Sequence, residues 1–224
     1  NQLLAYDATK PAEEIVNYLN TGSSQTWTDM HEGFAINDGG ELWRYNPASD
    51  SWSGEDVLGD TFIQNNLVEP QSLWVHKESD GFLRLWAAGL PNNQAFPVLA
   101  CSEKTFQAGG VEVECDGQQL DAPFPESELL RAVAGTANCA GSGCYYHLLI
   151  GADYPGGQGE YTDVFENFTG FDDEWAITFN DTQVQTGHIT RDVAAIGDES
   201  YMIVGGGGYV RHRASNGSLT WLPQ

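Results

Sequence analysis

One pattern recurs along this chain and limits what it can become: an apolar run of strand length, a turn led by Gly or Asp-Gly, then an aromatic run. GFAIN (33–37), Asp38-Gly39-Gly40 and ELWRYN (41–46) form the first instance. SLWVHKE (72–78), Asp80-Gly81 and FLRLWAAG (82–89) form the second. SYMIVG (200–205), three further glycines and YVRHRA (209–214) form the third, ahead of Asn216-Gly217 and SLTWLP. Apolar and aromatic runs broken by residues that accept tight-turn geometry read as antiparallel hairpins. With 224 residues, 26 Gly and 12% aromatics, the chain is expected to form one all-β domain over 1–224. A propeller-like array is expected ahead of a sandwich, although the repeat is unevenly spaced and lapses mid-chain. One or two short helices are expected, the candidates being PAEEIVNYL (11–19) and PESELLRAVA (125–134), each opening on Pro with acids in its first turn. ADYPGGQGE (152–160) reads as a long surface loop.

Charge narrows the partners. Thirty-two acidic residues against 9 basic give a formal −23. Such a surface repels phosphate backbones and anionic lipid, so neither nucleic acid nor a membrane surface is an expected partner. Most of this charge is accounted for by solubility alone. No apolar run approaches the ~20 residues of a membrane-spanning helix. The chain starts at Asn1, which fits removal of a signal peptide.

The four cysteines, Cys101, Cys115, Cys139 and Cys144, allow three connectivities. Two local bridges, Cys101–Cys115 and Cys139–Cys144, are expected because each closes a small Gly-containing loop. A four-thiolate zinc site is the competitor, and the spacings are wrong for paired C-x-x-C knuckles. Disulfides imply an oxidising compartment and therefore export.

Candidate chemistry sits in Leu73-Trp74-Val75-His76-Lys77. On a strand, residues two apart share a face, so Trp74 and His76 point the same way, roughly 7 Å apart. His147, in the strand-like run Cys144-Tyr-Tyr-His-Leu-Leu-Ile, is the candidate third donor. On local evidence alone, a Trp beside a His is more often a packed aromatic with a hydrogen-bonded neighbour than a metal site.

The order Trp74-x-His76, then His147 roughly seventy residues further on, resembles the copper site of the MopE and CorA proteins of methanotrophic bacteria. The likeness spans positions 74 to 147, about a third of the chain. It implies that Trp74 is oxidised to kynurenine, whose aromatic amine binds one copper ion, favouring Cu(I), together with His76 and His147. It further implies copper acquisition or storage outside the cell or at its outer-membrane surface. An association with a di-haem cytochrome c peroxidase-like protein is implied as well. The chemistry is sound on its own terms. An intact indole N–H only donates, whereas an opened pyrrole ring leaves an amine with a free lone pair. Two imidazoles and an amine suit d¹⁰ Cu(I), and also Cu(II) with added water.

The other histidines carry less. His31 beside Glu32 is read as a ligand or, more often, a capped loop residue, His188 lies in a polar stretch, and His212 sits between Arg211 and Arg213, which oppose a cation. Acid-rich segments around Asp50–Asp60, Asp153–Asp163 and Asp172–Glu174 leave room for one structural calcium with no ligands assigned. No G-x-S-x-G elbow, phosphate-binding loop or singled-out carboxylate pair points to an enzyme. The alternative to a copper protein is a cell-surface scaffold in which Trp74 and His76 are merely packed.

Overall fold

A computed structural model describes residues 3–4, 18–19, 26–54, 60–78, 82–92, 96–105, 111–118, 120, 129–140, 143–153, 162–167, 175–181, 190–197 and 199–221. Two short strands, β1 (Leu3–Leu4) and β2 (Tyr18–Leu19), pair antiparallel. The other described strands make four antiparallel sheets, each built from four successive strands. The first holds β3 (Trp27–His31), β4 (Phe34–Asn37), β5 (Leu42–Asn46) and β6 (Ser51–Ser53). The second holds β7 (Leu67–Lys77), β8 (Phe82–Pro91), β9 (Val98–Thr105) and β10 (Val111–Gln118). The third holds β11 (Leu129–Ala140), β12 (Gly143–Asp153), β13 (Thr162–Asn167) and β14 (Ala176–Asp181). The fourth holds β15 (Thr190–Gly197), β16 (Ser200–Gly205), β17 (Val210–Arg213) and β18 (Leu219–Trp221). A short helix, α1 (Asp60–Asn66), leads into β7.

The all-β expectation is met, and the three hairpins lie where the sequence put them. At the β3–β4 turn, Glu32 and Gly33 both take positive φ, 49° and 79°. That is the backbone of a two-residue turn whose twist matches the flanking strands. Both local disulfides are present, Cys101–Cys115 joining opposed residues of β9 and β10, and Cys139–Cys144 opposed residues of β11 and β12.

The helix expected over 125–134 is corrected. Residues 129–134 open β11, which pairs with β12 from Leu129↔Asp153 to Ala140↔Gly143. A Pro-Glu-Ser-Glu opening is a weak local preference, and a long strand partner outweighs it. Of the segment 11–19, Tyr18 and Leu19 form β2 and the rest lies outside the described residues, as do 154–160 of the expected loop, His188 and most of the acid-rich segments.

Three apolar clusters cement neighbouring sheets. Phe34, Ile36 and Leu42 of the first sheet meet Ile63 of α1 and Leu73, Val75, Leu85 and Leu99 of the second. Trp74, Trp86 and Ala100 of the second meet Val133, Tyr146, Leu148 and Ile150 of the third. Leu149 and Val164 of the third meet Val193, Tyr201 and Ile203 of the fourth. Strands β7 and β12 therefore spend their two faces on two cores, which is why residues 73–75 and 148–150 read as unbroken apolar runs. The first strand of each four-stranded sheet also lines one shared cleft of about 270 Å³, through residues that include Asp29, Ser72, Gly135 and Asp192.

Candidate metal centre

β7 is an edge strand of its sheet. Its free N–H groups need acceptors, because an unpaired buried amide is costly. Side chains of β3 supply them. Leu73 N–H donates to Asp29 Oδ2 (2.8 Å), and Val75 N–H donates to His31 Nδ1 (3.1 Å). Ser72 Oγ donates to the same Asp29 oxygen (2.6 Å) and accepts from Val133 N–H of β11 (3.1 Å). These bonds fix β7, and so the direction in which Trp74 and His76 project.

Both side chains leave the same face of β7, as alternation requires. Their rings stack with planes 5° apart and centroids 5.9 Å apart. Trp86, the cross-strand partner of Trp74, lies 5.3 Å from it. Tyr146 of β12 stands edge-on to both, 6.5 Å from Trp74 and 6.0 Å from His76. The Tyr146 hydroxyl donates to Glu78, a buried carboxylate that also accepts from Arg84 Nε (2.6 Å). Burial, then the bond to Glu78, pushes the Tyr146 phenol well above its ordinary range. It therefore stays protonated and serves to hold its ring against the pair.

Trp74 is only 6% exposed and is one of the residues that line the shared cleft. Its benzo edge lies over Gly135, where an added Cβ would stand 3.1 Å from Trp74 Cε2 and Cζ2 and 2.7 Å from Leu148 Cδ2. Gly135→Ala is thus expected to push the indole off its seat and redshift its fluorescence, at a cost of about 1–3 kcal/mol for overpacking. Unchanged emission and an unchanged urea midpoint would show that the seat yields freely.

His31 also flanks Trp74, with ring centroids 6.0 Å apart. Of the two roles open to it, ligand or structural residue, its bond to Val75 supplies a specific structural one. Since Nδ1 accepts a backbone proton, Nε2 carries the ring's own proton in the neutral form. Burial lowers the His31 pKa below its ordinary 6.5, against the opposing pull of Glu32 and Asp29. Just below 6.5 the unfolded chain therefore binds more protons than the folded one, so stability present above that pH is lost on acidification. His31→Asn keeps an acceptor for Val75 but cannot titrate. Its urea midpoint should fall less between about pH 7 and pH 5.5 than that of the parent protein. Equal slopes would refute this assignment.

His147 does not join the group. Tyr146, Leu148 and Ile150 of β12 face the second sheet, so His147 and Leu149 enter the opposite face. There the His147 ring is 2% exposed and lies 6.5 Å from Tyr201. Its Nε2 is 3.1 Å from Glu166 Oε2, and Glu166 Oε1 is 3.2 Å from Arg213. The structure thus brings Trp74 and His76 together and leaves the third expected donor on the far side of β12. What stands beside His76 instead is sulfur: Cys139 Sγ lies 3.4 Å from His76 Nε2. The ligand atoms of His76, Cys139 and Cys144 all fall within 4.8 Å of one another. The sequence signal for this neighbourhood is the short Cys139–Cys144 spacing, which by itself points to a local bridge and not to His76. His212 lies on β17 opposite Met202, away from these residues.

No protein-family model, curated protein or solved structure matches the chain.

Proposed function

We propose that the protein binds one copper ion, held chiefly as Cu(I), with His76 and a kynurenine formed from Trp74 at the centre of the site. The carrying observation is the parallel stack of these two side chains on one face of β7, with Trp74 among the residues that line the cleft. Ring opening of Trp74 would place an aniline-type amine beside an imidazole on a rigid strand. Two adjacent nitrogen donors of that kind suit a soft d¹⁰ ion that needs few ligands. His147 is the second imidazole implied by the likeness to MopE and CorA, but it reaches such an ion only if β12 presents its other face. The role that follows is copper acquisition or storage by an exported protein, outside the cell or at its outer surface. A di-haem cytochrome c peroxidase-like partner is the proposed agent of Trp74 oxidation.

Tryptic mass spectrometry of native material tests the modification directly. The peptide carrying Trp74 should be heavier than encoded, by one carbon lost and one oxygen gained. An unmodified peptide refutes the kynurenine.

The second reading is a propeller-like scaffold at the cell surface, favoured by the close packing of Trp74 among Trp86, Tyr146 and Gly135. Copper titration separates the two, because a scaffold has no stoichiometric high-affinity site.

A further inference from the structure

We propose that His76, Cys139 and Cys144 form a reduction-gated site for a soft d¹⁰ cation, Cu(I) foremost. Cys139 and Cys144 are opposed residues near the turn end of the β11–β12 hairpin, with Cα atoms 4.0 Å apart. His76 reaches them from β7, its Nε2 3.4 Å from Cys139 Sγ. In a tetrahedral site with metal–sulfur bonds of about 2.3 Å and metal–nitrogen bonds of about 2.1 Å, sulfur and nitrogen ligands stand about 3.6 Å apart. The imidazole is thus already at ligand distance from one sulfur. Only the two sulfurs must separate, and breaking their bond permits that.

Reduction leaves the cysteines in place. The bridge closes a loop with a sequence separation of only 5, so it adds little to a hairpin paired through to Leu129↔Asp153. Access differs between the two bridges: Cys139 is exposed, whereas Cys101 is fully buried between sheets. A water-soluble phosphine therefore meets Cys139–Cys144 first. Phosphorus attacks one sulfur, the S–S bond breaks, and the other sulfur leaves as a thiolate. Water converts the phosphonium to phosphine oxide and frees the first sulfur. Phosphorus gives up two electrons, and the protein gains two electrons and two protons as a pair of thiols. Those protons depart when the metal binds. Two thiolates and an imidazole then favour Cu(I) over harder cations.

This inference rests on the copper reading only for the choice of cargo, since it needs neither kynurenine nor His147. The experiment uses recombinant full-length protein and Cu(I) in competition with a chromophoric Cu(I) chelator, with and without phosphine. The reduced protein should gain one equivalent of Cu(I), bound at least about a hundredfold more tightly than in the oxidised form. Cd(II), as a second probe, should give a thiolate charge-transfer band only after reduction. The double substitution Cys139→Ser and Cys144→Ser should abolish both gains. His76→Ala should keep the Cd(II) band but weaken Cu(I) at least about tenfold. Trp74→Phe should keep the full gain, so a failed kynurenine reading leaves this result standing. No gain on reduction, a gain that survives the double Ser substitution, or one indifferent to His76→Ala overturns the proposal.

Discussion

The copper affinity proposed for the native protein should be lost on His76→Ala, with the dissociation constant rising by a hundredfold or more while the fold persists. His76 lies on the rim of the aromatic cluster, half-buried, and its removal leaves the strand pairing of Trp74 with Trp86 intact. Weakening even an outer partner of a metal ligand costs about 10–100-fold in affinity, so losing a ligand from a site with few donors costs more. The measurement is a competition titration beside a urea midpoint, the second confirming that His76→Ala still folds. Unchanged affinity would remove the Trp74–His76 pair from the site. His147→Ala separates the two ligand sets. Retained copper with lowered stability is what its place beside Glu166 entails, whereas copper lost as fully as in His76→Ala would mean that β12 presents its other face to β7.

The largest effect on stability should come from Glu166→Ala. Glu166 is 2% exposed and links His147 on one oxygen to Arg213 on the other, tying β12, β13 and β17 together. Its loss strips a buried acceptor from an imidazole that is itself 2% exposed and from a guanidinium close by. Removing one partner of a buried ion pair costs about 3–5 kcal/mol, because the groups left behind stay desolvated. Against the 5–15 kcal/mol typical of a whole domain, that loss should show as a large drop in urea midpoint. Glu166→Gln keeps a carbonyl acceptor and should lose less. A loss below about 1 kcal/mol for Glu166→Ala would mean that water replaces the carboxylate without penalty.

Membership of strands, turns and local bridges was legible in the residues. Period-two alternation, turn residues and short Cys spacings act over a few positions, and those distances need no tertiary context. Trp74 and His76 sharing a face follows from the same alternation. The helix expected over 125–134 failed because its evidence was a local preference at one end of a long strand. α1 was missed because Asp60–Asn66 lacks the apolar period that marks an amphipathic helix.

Sequence alone determined that this is an acidic all-β chain with a Trp–His pair on one strand face, and it left four cysteines with three possible connectivities of which the two local bridges were expected. Only the tertiary structure decided what that pair faces. Tyr146 and His147 are neighbours on β12, and alternation obliges one to turn toward β7 and the other away without saying which. The choice was made by Leu148 and Ile150, whose burial against the second sheet outweighs any placement of a single imidazole. The same packing set the Cys139–Cys144 bridge beside His76, a meeting of residues 63 positions apart that no local rule encodes.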